Sequence, residues 1–160
     1  MMKAIYYLFF FLTFALISCD KENGLENAKF DAYLDSLSIQ RYYTTDILLP
    51  EHSELYNVWK LTHVTGGFVG GEHPLTFDYM IFKPNGIYGI IVNDSIKEFG
   101  RVNILEQTKE NLLINLTPDL VSGQIIYDSE KQVDLSHHNT LMLIAPCCDR
   151  FSYEFVKQNK

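Results

Sequence analysis

Basic residues are scarce in this chain. Thirteen Lys and Arg stand against twenty Asp and Glu, giving a formal charge of −7 and a pI near 5.1. Nucleic-acid binding rests on neutralising phosphates with Lys and Arg, so that class of partner is not expected. Docking on anionic lipid by surface charge is disfavoured for the same reason. Cysteine is also sparse, with only three. Cys147 and Cys148 are adjacent. Neighbours on an extended chain point to opposite faces, and a ring closed between them is strained, so no ordinary structural disulfide is expected. Nor do they form a finger-type zinc spacing with His137 and His138, so no metal site and no cofactor are expected.

Catalytic signatures are missing too. There is no Gly-x-Ser-x-Gly elbow, and the five histidines, at 52, 63, 73, 137 and 138, have no evident serine or cysteine partner. Cys148 beside Asp149 lacks the strong positive surroundings a reactive thiolate needs. Gly66-Gly67-Phe68-Val69-Gly70-Gly71 is glycine-rich, but a phosphate cradle requires a helix straight after the glycines. A β-rich run follows instead. The chain therefore reads as a non-enzyme.

No apolar run reaches the roughly 20 residues a spanning helix needs. The longest, from Ala4 to Ile17, follows Lys3 and ends in Leu16-Ile17-Ser18-Cys19. A charged start, a short apolar middle and a small residue before the cut read as a secretion signal. The last four residues resemble the lipobox of bacterial lipoproteins, in which the cysteine is lipidated and becomes the first residue. That resemblance implies a signal peptide over residues 1–18, a lipidated tether over 19–24 and attachment to a membrane through Cys19. Palmitate-type acyl chains would supply the anchor, each buried methylene contributing about 0.8 kcal/mol. Loss of Lys3 leaves twelve basic against twenty acidic residues, a mature charge of −8. Asp20 resembles an inner-membrane retention signal and Lys21-Glu22 a surface-export signal. The cell envelope is the expected location, with the outer membrane favoured.

Beyond the tether, Leu25, Ala28, Tyr33, Leu34 and Leu37 recur near helical spacing. They predict a short helix lying on the main domain, within an N-terminal extension over residues 25–55. Alternating or continuous apolar stretches then recur at near-regular spacing between turn signals. The pattern predicts a mostly β domain over residues 56–160, an antiparallel barrel or sandwich of eight or nine short strands. Alternation from Trp59 places Leu61 and His63 on its face, with Val58, Lys60, Thr62 and Val64 on the other. Leu75 to Phe82 reads as the second strand.

Asn57-Val58-Trp59-Lys60-Leu61 with Thr65-Gly66-Gly67-Phe68-Val69-Gly70-Gly71, and the closing Asp149-Arg150-Phe151-Ser152-Tyr153-Glu154-Phe155, resemble lipocalin-like domains of bacterial lipoproteins. The resemblance implies an up-and-down barrel of about eight strands, with Trp59 plugging one end. Gly66 and Gly67 would shape a loop across the mouth, and Phe68 would act as a flap. It also implies a small apolar or amphipathic ligand. Candidate contacts are His63, Phe68, Tyr79, Tyr88 and Tyr153, since such pockets want apolar walls with a few polar tips. The alternative is an envelope interaction module whose barrel is filled by its own side chains, as many eight-stranded barrels are.

Overall fold

The computed structural model describes residues 22–36, 48–67, 71–121, 130–147 and 150–158. Cys19 and Phe68 lie outside them, as does the stretch 124–127 that reads as a strand. Helix α1 spans Glu22–Ser36, and a 3₁₀ turn spans Pro50–Leu55. Eight strands follow: β1 Val58–Gly66, β2 Tyr79–Phe82, β3 Ile87–Val92, β4 Ser95–Gln107, β5 Leu112–Val121, β6 Glu130–Asp134, β7 Thr140–Ile144 and β8 Phe151–Lys157. Each pairs antiparallel with the next, and β8 closes on β1, so the sheet is a closed up-and-down barrel. We call the end carrying the β2–β3 turn the lower end and the opposite one the upper end.

Two apolar clusters follow from the period-2 alternation of side chains. Trp59, Leu61, Met80, Phe82, Tyr88, Ile90, Leu141, Leu143 and Phe155 belong to the larger one, inside the barrel. Val58, Ile81, Ile87, Ile91 and Phe99 take the outward positions between them and form the second cluster with Phe30 of α1. Strand β3 reads as an unbroken apolar run because both of its faces are covered, one by the barrel interior and one by α1.

Phe30 is fully buried, with Tyr33 and Leu34 packed beside it, whereas Ala28 is exposed. The buried stripe is therefore rotated from the one spacing suggested, and it centres on Phe30. A Cβ on Gly89 would come within 2.3 Å of the Phe30 ring, so a bare backbone at 89 is what admits that ring. Lys83, in the β2–β3 turn, ties the helix down through Asn27 Oδ1 at 2.9 Å and Asp31 Oδ1 at 2.9 Å. The helix begins at Glu22, so residues 22–24 are helical and not part of a tether.

Two further differences have local causes. The β2 strand starts only at Tyr79, because the chain before it makes just a short antiparallel bridge to β1, Glu72 opposite Thr65 with the His73 amide on the Val64 carbonyl. Also, the β1–β8 register shifts between Leu61 and His63. That bulge makes two residues of one strand oppose one of the other and reverses the alternation beyond it. Val64 is therefore buried, and His63 faces outward.

Candidate functional site

The lower end is closed by the 3₁₀ turn. Pro50 sits at its first position, where the missing N–H is no loss. Leu48 and Leu55 enter the core. The turn is fastened to β4 and the loop after it: the Leu49 N–H donates to Gln107 Oε1 at 2.8 Å, and the His52 ring Nε2 meets the Thr108 carbonyl at 2.6 Å. Trp59 is fully buried above the turn, and its indole N–H donates to the Leu55 carbonyl at 2.9 Å.

The upper end is crossed by the return from β1. Gly66 and Gly67 have φ of +109° and +72°, a region open to glycine and strained for other residues. A Cβ on Gly66 would also lie 2.2 Å from the Arg150 carbonyl oxygen. Beyond the glycines, His73 donates its amide to the Val64 carbonyl at 2.9 Å and its ring Nε2–H to the Gly66 carbonyl at 2.8 Å. The same ring meets Phe151 edge-on at 4.9 Å. Phe77 then turns inward against Tyr153 and Phe155, with ring centroids 5.9 and 6.0 Å away.

Between the two ends, the interior carries a polar layer that alternation alone did not announce. Glu98 and Lys131 are charged residues at 1% and 0% exposure. The Tyr88 hydroxyl donates to Glu98 Oε1 at 2.7 Å. The Lys131 ammonium donates to the Phe151 carbonyl at 3.0 Å and lies 5.6 Å from the centre of the Tyr153 ring. Burial, reinforced by the neighbouring Glu98 charge, pushes the Tyr88 hydroxyl well above the ordinary tyrosine range. It therefore stays protonated and serves as a hydrogen-bond donor. Buried polar groups that find partners in this way fix a unique interior arrangement.

Of the expected ligand contacts among the described residues, Tyr88 and Tyr153 belong to the cluster inside the barrel, and Phe68 lies outside the described residues. Tyr79 sits on the outer side, against the cluster under α1. His63 is turned out of the interior by the β1 bulge and faces Glu154 at 3.6 Å on the surface; the inward position expected for it is corrected. Glu98, not among the expected ligand contacts, is buried. Asp78 is exposed and accepts the Asn93 amide at 2.6 Å. Lys131 was legible in principle, since it lies two residues before the buried Val133, on the same face of β6. Glu98 shares the inward face of Val102 and Ile104, but counting from Ile96 puts it outside, because the β3–β4 register shifts between the two. Among the described residues, no group of three or more His, Cys, Asp or Glu is arranged to hold a metal ion, and Cys147 is an exposed free thiol.

No protein-family model, curated protein or solved structure matches this chain.

Proposed function

We propose that this chain is a lipid-anchored protein of the cell envelope whose barrel is a filled scaffold and whose outer surface does the work. No bond is made or broken in this reading. One observation carries it: the interior positions are occupied by bulky side chains. Trp59, Tyr88, Phe82, Phe155 and Met80 are at most 2% exposed. Phe77 and Tyr153 fill the space beneath the upper end. A small-molecule pocket needs roughly 300 Å³ or more. The space lined by Leu48, Leu55, Phe82, Val102 and Ile104 at the lower end is about 10 Å³. The anchor rests on Lys3, the apolar run and Cys19, and the likeness of the first and last strands to lipocalin-like lipoproteins agrees with the barrel.

Native mass spectrometry of the protein extracted gently from its own membrane tests the scaffold. The expected species is the acylated polypeptide with no co-purifying small molecule. A stoichiometric apolar ligand that quenches Trp59 fluorescence on rebinding would overturn the filled-barrel reading. In the same host, Cys19→Ser is expected to accumulate as an unprocessed precursor. Normal maturation and membrane fractionation of that variant would overturn the anchor.

A further inference from the structure

A surface cleft of about 450 Å³ opens between the 3₁₀ turn, the β4–β5 turn and strands β6 and β7. Its size suits a small organic molecule. Three carboxylates line it, Glu51, Glu110 and Asp134, against a single ammonium, Lys109. Apolar surface comes from Val133, Leu135 and Ile144.

His52 makes the cleft more than a group of acids. The residue is only 7% exposed, yet its side chain lines the cleft. Its Nε2 faces a backbone carbonyl, Thr108 O, at 2.6 Å. A carbonyl only accepts, so Nε2 carries the hydrogen in either protonation state. In the neutral ring this leaves Nδ1 as a lone-pair acceptor, and that atom makes no hydrogen bond among the described residues. Asp134 is equally set: its Oδ1 accepts the Ser136 amide at 2.8 Å. Hydrogen bonds from Ser136 hold its carboxyl below the usual carboxylate range, so the charge is present at neutral pH. Apart from Lys109, the charged groups here are carboxylates, and no three of the described acidic or imidazole groups are placed for a metal.

We propose that this cleft binds an organic cation, an amine carried on a small apolar body. The ammonium donates to the His52 Nδ1 lone pair and to the carboxylates, and the body lies on the Val133–Leu135 and Ile144 surface. The proposal rests on the reading that the outer surface is the working face.

The test is titration of the chain with 2-phenylethylamine, followed by ¹H–¹⁵N NMR, with 3-phenylpropanoate as the anion of similar shape. The amine is expected to saturate on the order of millimolar, shifting the amides of Gln132 to Ser136 and the His52 ring nitrogens. The anion is expected to leave them unmoved. Glu110→Gln lies in an exposed turn and Asp134→Asn keeps an acceptor for the Ser136 amide. Each is expected to weaken the amine about three- to tenfold, and added salt to weaken it further. No saturable shift, equal shifts with the anion, or unchanged affinity in both variants would overturn the proposal. Any of these with Trp59 fluorescence still indifferent to apolar probes would leave the filled-barrel reading standing. A Trp59 response would strike that reading instead, whatever the cleft does.

Discussion

Pairing Phe30 with Gly89 makes the docking of α1 measurable. Gly89 has no positive φ, so alanine there is conformationally ordinary, and the three nearest atoms that its Cβ would meet all belong to the Phe30 ring. An added Cβ would stand 2.3 Å from Phe30 Cε2 and 2.5 Å from Cζ. Carbon atoms rest about 3.5–4.0 Å apart, so the ring must retreat by more than about 1 Å. Overpacking of this kind costs about 1–3 kcal/mol. Phe30→Ala removes a fully buried ring and is expected to cost about 3–5 kcal/mol. In the double variant the new methyl enters space the ring has left, so Gly89→Ala loses its penalty. The pair is then expected to be more stable than the sum of the single changes by about 1–3 kcal/mol. Urea unfolding of the four proteins, compared at unchanged m value, measures this. Additivity to within about 0.5 kcal/mol would refute the placement of the ring over Gly89.

Two further outcomes follow from the interior. Tyr88 holds its proton above the ordinary tyrosine range when folded, so the stability it contributes is complete below the unfolded value near 10 and declines as pH rises past it. Tyr88→Phe is expected to flatten that alkaline decline in a pH series of urea midpoints; an unchanged slope would contradict the buried Tyr88–Glu98 pair. Trp59→Phe removes the indole N–H that donates to the Leu55 carbonyl at 2.9 Å, leaving that carbonyl the Asn57 amide at 2.8 Å, and loss of that hydrogen bond is expected to cost about 0.5–1.5 kcal/mol. Thermal or urea unfolding checks it, and wild-type stability would place the indole elsewhere than against the 3₁₀ turn.

The barrel itself was readable because turns such as Lys83-Pro84-Asn85-Gly86 and the alternation in Phe151 to Phe155 depend on near neighbours in the chain. What escaped depends on bulges. One register shift turns His63 outward and brings Val64 into the core; another intervenes before Glu98, at Ile90 and Ile91. Period-2 counting carries no signal for an extra residue. The helix was legible as an element but not in rotation, because Phe30 is selected by the notch at Gly89 on a distant strand. His52 gave no sequence signal at all. Its environment is made by the Thr108 carbonyl, 56 residues away.

If Cys19 is acylated as we propose, only Asp20 and Lys21 separate it in sequence from the start of α1 at Glu22. A chain so brief, extended at about 3.3–3.6 Å per residue, reaches about 10 Å. The helix it leads into is bolted to the β1–β4 wall by Phe30 and Lys83. In that proposed form the domain would ride against the headgroups, and a partner would have to come to the bilayer to meet it.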